Sequence, residues 1–322
     1  MRAVRYQRYG GPERLRLVDL PTPTTGPGDV LVRVRAASVN SWDWDLLRGR
    51  PLIARLGGLF RPRYPVLGAD VAGEVVEVGE GVTSFAVGDR VHGDLSAAGW
   101  GGFAEFVAAP ATAFRAIPDG IGFADAAALP QAGGLAVQGL RLAAVAAGDR
   151  VLVNGAGGGA GTIAVQLATA AGAEVTAVDR ADKLDLLTRL GARRAIDMAD
   201  RAAASAPPDG GYDVIIELVA RRRLRDYRRM LAPGGRFVII GGRMRVIFAT
   251  FAFGPAYGRD GRSYRVLPAH ANVGLEELDA RVAAGELHPV VDAVLPLAEV
   301  PEALRRIGVG DVHGKVVIDP TR

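Results

Sequence analysis

Five glycines fall within seven residues, at a spacing that suits phosphate chemistry. The stretch from Val151 to Gly161 reads V-L-V-N-G-A-G-G-G-A-G and leads into the apolar run T-I-A-V-Q-L-A-T-A-A. Missing side chains at Gly155, Gly158 and Gly161 let backbone approach a ligand and let a helix pack closely on a strand. A helix that begins there directs unpaired N–H groups and the positive end of its dipole into the gap, which favours a pyrophosphate.

The glycine turn alone leaves a purely structural interpretation open. A strict G-x-G-x-x-G pattern that starts at Gly155 fails, because its third glycine position falls on Ala160. The next segment strengthens the ligand interpretation, since the apolar run from Glu174 to Val178 ends at Asp179. That residue lies 18 positions after Gly161, near the ~20 expected for an acidic residue that binds an adenosine ribose.

Cysteine and histidine usage excludes several kinds of chemistry. The chain has no cysteine, so disulfides, thiol nucleophiles and thiolate metal sites are ruled out. Its four histidines are scattered without the spacing of metal ligands. We therefore expect no zinc site.

Composition indicates a two-domain protein with an ample core. The chain has 322 residues, of which 49% are hydrophobic and 23% charged, with a net charge of +4. No apolar run approaches the ~18 residues that span a bilayer, and the N-terminus lacks the apolar region of a signal peptide, so we expect a cytoplasmic protein with no membrane partner. Residues 221–229 carry six arginines; a solvated helix face is favoured there over a nucleic-acid patch.

The elements that would position these residues change character near Pro118. Before it, short β-branched runs alternate with Pro and Gly, as in a small barrel or sandwich. From Val151 onward, strands and helices alternate at βαβ spacing, which predicts a doubly wound parallel sheet and an α/β fold. The aromatic segment 244–257 is left open between a cover for a cleft and a subunit contact, and Val316 to Ile318 is expected to rejoin the first domain.

Several motifs in one order resemble the medium-chain dehydrogenase/reductase superfamily, in particular its zinc-free quinone oxidoreductase branch. They are A-S-V-N-S-W-D-W at 37–44, P-V-L-G-A-D-V-A-G-E-V-V-E-V-G-E-G-V at 65–82, V-G-D-R-V at 87–91, G-G-F-A-E-F at 101–106, A-A-A-L-P at 126–130, the glycine turn, L-A-P-G-G-R-F-V-I-I-G at 231–241 and G-K-V-V at 314–317. The resemblance implies a GroES-like β-domain over residues 1–120, completed by about 286–322, and a Rossmann domain over 121–285. It also implies a cleft where the domains meet and a homodimer.

The same resemblance suggests that the catalytic zinc has been lost. Asn40 stands where zinc alcohol dehydrogenases of the superfamily have a cysteine ligand, and Ala69 stands where they have the histidine of a G-H-E motif. Without a metal to acidify an alcohol, reduction of a conjugated carbonyl is the less demanding reaction, because its negative charge spreads into an enolate or hydroquinone anion. A small-molecule quinone or enone is therefore the expected substrate.

The catalytic and substrate-lining roles follow only from the resemblance. Asn40 and Tyr64 are the catalytic candidates; Asn40 would donate to a substrate carbonyl or to cofactor hydroxyls, or would simply cap a turn, and Tyr64 carries a proton to donate. The expected substrate-lining residues are Trp42, Trp44 and Leu135, the last at a position where many relatives have threonine. Packing in the core of the β-domain is the alternative for Trp42, Trp44 and Tyr64. Asp43 is expected to hold its loop. The residues expected at the dinucleotide are Asn40, Gly155, Ala156, Gly157, Gly158, Gly159, Ala160, Gly161, Asp179, Arg180, Lys183 and Gly241.

The choice of dinucleotide rests on three side chains. Asp179 favours the free ribose of NADH, because a carboxylate repels a 2′-phosphate. Arg180 and Lys183 offer two cations to that phosphate. Counting charges, we expect NADP(H) in preference to NAD(H).

The sequence thus predicts a zinc-independent NAD(P)H oxidoreductase that reduces quinones or α,β-unsaturated carbonyl compounds. A pathway-specific ene or enoyl reductase of natural-product biosynthesis is the first alternative. A non-catalytic protein that senses NADPH or associates with nucleic acid is the second.

Overall fold

The computed structural model describes residues 1–56, 58–258 and 260–322. Its strands are β1 (Arg2–Arg5), β2 (Arg16–Asp19), β3 (Asp29–Ser38), β4 (Asp70–Val78), β5 (Arg90–Asp94), β6 (Phe106–Pro110), β7 (Arg115–Ala116), β8 (Arg150–Asn154), β9 (Glu174–Asp179), β10 (Arg194–Asp197), β11 (Tyr212–Glu217), β12 (Leu231–Ile239), β13 (Ser263–Val266), β14 (Val291–Pro296) and β15 (Lys315–Asp319). Its helices are α1 (Ser41–Arg48), α2 (Phe123–Ala128), α3 (Pro130–Leu142), α4 (Gly159–Ala170), α5 (Leu184–Arg189), α6 (Leu224–Met230), α7 (Met244–Tyr257), α8 (Leu275–Ala283) and α9 (Val300–Val309).

The chain divides into two compact units. The β-rich unit comprises Met1–Gln131 and Ala271–Arg322, and the doubly wound unit comprises Ala132–His270. The predicted boundaries at 120 and 286 differ from these, because α2 and α8 belong to the β-rich unit. Ala126 and Ala127 of α2, for example, are buried against strand residues of the β-rich unit. The change in composition near Pro118 therefore marks the end of the strands, and the unit itself continues to Gln131.

The β-rich unit is built on the long strand β3. The order of its main sheet is β14-β15-β3-β4-β5-β7, and β6 also pairs with β3. Alternate valines of β3, Val30, Val32 and Val34, face the core that Leu47 of α1 and Phe103 help to fill. The antiparallel pairing of β15 with β3 confirms that the C-terminal strand rejoins the first domain.

The doubly wound unit carries one parallel sheet of six strands, in the order β10-β9-β8-β11-β12-β13. β8 and β11 lie at its centre and are buried on both faces, as their continuous apolar runs predict. The winding reverses direction between them, which creates the switch point where such sheets bind ligands. The predicted doubly wound sheet is confirmed.

Two helices, α1 and α7, lie in segments that the sequence analysis singled out for other reasons. α1 begins directly after Asn40, inside a segment for which the sequence suggested no helix. α7 corresponds to the aromatic segment 244–257 and is apolar around most of its circumference.

In the part of the chain that the structure describes, no helix combines the length and apolar character needed to cross a membrane.

Candidate functional site

The glycine turn joins β8 to α4 at the carboxyl edge of the parallel sheet. Gly155 has a φ of 83°, a conformation that favours glycine. Its N–H donates to the carbonyl of Val178 at 2.9 Å, and the N–H of Ala156 donates to the same carbonyl at 3.2 Å. The turn is thereby fixed to β9, beside the switch point of the sheet.

Packing requires a glycine at position 161 but not at position 158. A Cβ atom at Gly161 would lie 2.3 Å from the carbonyl oxygen of Gly155, so glycine there lets α4 pack on the turn. A Cβ atom at Gly158 would have Gly155 O, at 3.7 Å, as its nearest described neighbour, and Gly158 has the extended angles φ −87° and ψ 177°. Neither packing nor backbone conformation requires glycine at 158, so a side chain there would fill open space in front of the turn.

The first turn of α4 suits a pyrophosphate. Thr162 is the first residue of the helix whose N–H donates to a carbonyl one turn earlier, that of Gly158 at 2.9 Å. The N–H groups of Gly159, Ala160 and Gly161 precede it and have no such partner, as in any helix start. They surround the space in front of Gly158, where the helix dipole also favours an anion. These residues therefore fit the pyrophosphate of a dinucleotide.

The carboxylate of Asp179 is turned toward the protein. Its Oδ2 accepts from the N–H of Gly157 at 2.8 Å, and its Oδ1 accepts from the N–H of Arg180 at 2.8 Å. Lys183 Nζ lies 3.4 Å from the same Oδ1, and both side chains are buried. The more exposed Arg180 has its Nε 3.1 Å from Asp182 Oδ1. The cations of Arg180 and Lys183 thus lie beside two anions, Asp179 and Asp182. Asp182 was not included when charges were counted from the sequence.

Glu217 is a buried residue of this edge that the sequence analysis missed. It ends β11, next to β8, and accepts from the side-chain amide of Asn154 at 2.8 and 2.9 Å and from the N–H of Val219 at 3.1 Å. Burial raises the pKa of Glu217 to about 7, against the lowering effect of these hydrogen bonds. The sequence signal that could have identified Glu217 is an acidic residue at the end of the apolar run V-I-I.

Asn40 lies in a buried polar cluster of the β-rich unit. Its Nδ2 donates to Asp70 Oδ2 at 3.0 Å, and its Oδ1 accepts from the ammonium of Lys315. The opposite charges on the two sides determine which end of the amide carries the hydrogens. One amide hydrogen remains without an acceptor among the described residues, on a side chain that is 6% exposed.

Asp70 collects four donors. Besides Asn40, it accepts from Ser38 Oγ at 3.0 Å and from the N–H of Gln131 at 3.0 Å, and Lys315 Nζ lies 3.3 Å from it. Neither Asp70 nor Lys315 was identified as a site residue from the sequence, because each appeared only as one letter of a longer motif. Their long separation in the chain gives no local pattern that pairs them.

Asp43 links the start of α1 to the neighbouring loop. Its Oδ2 accepts from the N–H of Asn40 at 2.8 Å, and its Oδ1 accepts from the N–H of Gly68 at 2.9 Å. Burial raises the pKa of Asp43 to about 7, while these two N–H groups act in the opposite direction. Such contacts agree with the loop-holding role that was expected.

The aromatic candidates lie at the edge of the core of the β-rich unit. Trp42, Trp44 and Tyr64 are all partly buried against it. The ring of Trp44 packs directly over Gly308 of α9, where a Cβ atom would come within 2.4 Å of it. The ring of Tyr64 lies 6.0 Å from that of Trp100. One side of the Trp44 ring and one side of the Tyr64 ring are thus covered by contacts with other residues of the β-rich unit.

Leu135 and Gly241 belong to the doubly wound unit. Leu135 is a half-buried residue of α3. Gly241 follows β12, and a Cβ atom there would lie 2.6 Å from the carbonyl oxygen of Leu218. Close approach of backbone to backbone therefore already explains the glycine at 241.

The polar cluster around Asn40 does not fit a zinc ion. Ala69 offers no donor atom, and the positive charge beside Asn40 and Asp70 is the ammonium of Lys315. Within residues 1–56, 58–258 and 260–322, no group of three or more His, Cys, Asp or Glu side chains is placed to hold a metal.

Two family models match the chain. One, described as an alcohol dehydrogenase GroES-like domain, matches residues 26–119, and the other, described as a zinc-binding dehydrogenase, matches residues 190–318. The chloroplast envelope quinone oxidoreductase homolog of Arabidopsis thaliana is 32% identical over 99% of this chain and 98% of its own length.

Solved structures agree with these matches. The quinone oxidoreductase from Coxiella burnetii superimposes with a TM-score of 0.87 at 29% identity, covering 99% of both chains. The CurK enoyl reductase superimposes with a TM-score of 0.81 at 26% identity, covering 99% of this chain and 98% of its own. With the dinucleotide turn and both units matched from end to end, the chain belongs to the quinone oxidoreductase family of the medium-chain dehydrogenase/reductase superfamily, an NAD(P)H-dependent oxidoreductase.

Proposed function

We propose that the protein reduces quinones or α,β-unsaturated carbonyl compounds with NADPH and without a metal. The bound nicotinamide supplies a hydride. The observation that carries the proposal is the buried amide of Asn40, held between the cation of Lys315 and the anion of Asp70 with one N–H left to donate. The quinone oxidoreductases among its relatives support this substrate class.

The environment of Asn40 suits an oxyanion. A cation on Oδ1 draws electron density from the amide and strengthens the remaining N–H as a donor, against the opposite effect of the Asp70 carboxylate on Nδ2. In a low-dielectric surrounding, a preoriented donor stabilises charge that develops on a carbonyl oxygen as hydride reaches the conjugated carbon. Because Lys315 and Asp70 hold the amide from both sides, the donor does not have to reorganise during the reaction.

Tyr64 is our proposed proton donor. Among Trp42, Trp44 and Tyr64, it alone carries an acidic proton, and its ring is only partly buried. Tyr64→Phe keeps the ring and its contact with Trp100. We expect it to lower kcat without changing the Kd for NADPH.

A substrate panel tests the proposal. Purified protein is incubated with NADPH or NADH and with quinones, enones, enoyl thioesters or simple alcohols, while absorbance of the reduced cofactor is followed. We expect oxidation of NADPH with quinones or enones, and an Asn40→Ala variant whose kcat is about 100-fold lower while its Kd for NADPH changes much less. Binding of NADPH without oxidation by any acceptor would favour the non-catalytic alternative. Oxidation of alcohols that depends on added metal would contradict the proposal.

An enoyl thioester is the second candidate substrate. The likeness to the CurK enoyl reductase over almost the whole of both chains favours it. Enoyl reduction also delivers hydride to a conjugated carbon and places negative charge on a carbonyl oxygen, so Asn40 would serve it equally. Turnover of enoyl thioesters with indifference to quinones would select this candidate.

The preference for NADPH is supported by the orientation of Asp179. Its carboxylate is hydrogen-bonded to Gly157 and neutralised by Lys183, which reduces its repulsion of a 2′-phosphate. Arg180 lies beside it with 42% of its side chain exposed, in a position to contribute a cation. Asp182 competes for that cation and weakens the preference.

We also propose a cytoplasmic homodimer. Within the described residues the parallel sheet ends at β13, and an edge strand presents backbone groups that a second copy can pair with. Light scattering on the purified protein would give the mass. A monomer at micromolar concentration would contradict the dimer.

A further inference from the structure

α7 has an apolar face that nothing in the described structure covers. Its inner stripe, Val246, Thr250 and Gly254, is buried. On the outer side, Phe248 is 63% and Phe251 is 80% exposed. A helix that is apolar on all sides is normally buried, so an outward stripe of aromatic rings indicates a surface that meets an apolar partner.

The exposed rings form one continuous strip. Phe248 and Phe251 are three residues apart, and Pro255 follows Phe251 by four, a spacing that places all three on one helix face. Phe253, 59% exposed, lies on the opposite side of the helix and is not part of this strip. Arg245 is the only charged residue of the helix.

Arginines surround this strip. A cavity of about 590 Å³ at the C-terminal end of α7 is lined by Arg225, Arg228, Arg229, Arg262, Ala256 and Tyr257. Arg225 and Arg229 have 58% and 77% of their side chains exposed and share one carboxylate, Asp226, at 3.7 and 3.8 Å. At the other end of the helix, Arg243 and Arg245 are exposed. Asp226 and Asp260 pair with the four arginines of the cavity and leave two of their positive charges unbalanced. The apolar strip therefore lies between two regions of net positive charge.

Charge decides which partner fits. A symmetric contact between two copies places the same patch against itself, so these arginines would face one another. A surface of phospholipid phosphates complements them, and aromatic rings insert at the boundary between headgroups and acyl chains.

We propose that α7 and the adjoining arginines dock the protein onto membranes of anionic phospholipid, with Phe248 and Phe251 inserted and Arg225 and Arg229 bound to lipid phosphates. This is peripheral binding by a helix that lies in the interface, and it goes beyond the proposed reaction. It also differs from the sequence-based expectation of no membrane partner, which rested on the absence of a spanning segment. The four named residues lie outside the dinucleotide turn and the Asn40 cluster.

Vesicle sedimentation tests the proposal with the intact protein. We expect binding to vesicles of phosphatidylglycerol mixed with phosphatidylcholine, and at least about tenfold weaker binding to phosphatidylcholine alone. Phe248→Ser with Phe251→Ser should weaken binding by about tenfold or more for each ring. Arg225→Gln with Arg229→Gln should weaken it by about 30-fold, whereas the corresponding lysine variants should retain most of it.

Phe60→Ser is the matched control, because Phe60 of the β-rich unit is 88% exposed. It should leave vesicle binding unchanged, and all variants should keep the wild-type unfolding temperature and NADPH binding. Equal binding to both vesicle types, or an equal loss from Phe60→Ser, would overturn the proposal. So would a dimer that the Phe248 and Phe251 changes dissociate without affecting vesicle binding, or arginine-dependent binding to duplex DNA in the absence of vesicle binding.

Discussion

The ammonium of Lys315 donates to Oδ1 of Asn40 across 275 residues of sequence, and both side chains are buried. The same ammonium lies 3.3 Å from Asp70. This contact brings the last strand of the chain to the start of α1 and orients the amide on which the proposed reaction depends. Its removal should therefore affect both stability and turnover.

Lys315→Met should lower the free energy of unfolding by about 3–5 kcal/mol, because it leaves Asp70 buried without its cation. Adding Asp70→Asn should restore at least about 1 kcal/mol of that loss, since the uncompensated charge is then gone. Urea unfolding followed by tryptophan fluorescence measures both. Arg306→Met, which breaks the half-buried contact with Asp292, is the control and should cost about 1 kcal/mol. Strictly additive losses from the Lys315 and Asp70 changes would show that the two residues do not interact.

Gly158→Val and Gly161→Val should fail in different ways. A valine at 158 has room within the fold and should cost about 1 kcal/mol of stability, yet it fills the proposed pyrophosphate space and should abolish NADPH binding. A valine at 161 meets the Gly155 carbonyl at 2.3 Å and should lower stability by several kcal/mol, about 3 or more. Calorimetric titration and thermal unfolding separate the outcomes. Tight NADPH binding by the Gly158 variant would place the cofactor elsewhere.

Arg180→Ala should raise the KM for NADPH by about 10-fold to 100-fold, because it removes one charge-assisted hydrogen bond to the 2′-phosphate. The KM for NADH should change by less than about 3-fold. Asp182→Asn should act in the opposite direction, because it removes the carboxylate 3.1 Å from Arg180 Nε. Steady-state kinetics with both cofactors provide the measurement. Equal effects on NADPH and NADH would argue against a 2′-phosphate contact at Arg180.

Glu217 should make stability depend on pH. Burial raises its pKa from 4.5 to about 7, so between these values the folded state binds a proton that the unfolded state has released. Its contribution is complete below pH ~4.5, declines as pH rises, and is constant above pH ~7.

Glu217→Gln removes this proton and keeps an acceptor for Asn154. The stability of the wild type relative to the variant should fall by at least about 1 kcal/mol between pH 5 and pH 8. Urea unfolding at each pH gives the difference, in which the contribution of the buried Asp43 cancels. A difference that does not change with pH would mean that Glu217 is ionised throughout.

Local patterns were sufficient for the scaffold. The glycine turn, the alternation of strand and helix after Val151 and the final G-K-V-V strand each follow from short-range rules of spacing, and all three occur in the structure. The domain boundaries were less predictable, because α2 is assigned to the β-rich unit by its packing and not by its composition.

The candidate site likewise combines features that local sequence patterns predicted with features that they did not. The sequence by itself determined the phosphate-binding turn, because glycine spacing and a helix start are local properties, and it selected Asn40 through a resemblance. Only the tertiary structure decided that Lys315 and Asp70 flank Asn40, that Glu217 joins Asn154, and that the carboxylate of Asp179 turns inward. These are pairings of buried polar groups distant in the chain, and a buried charge takes whichever partner the fold places beside it.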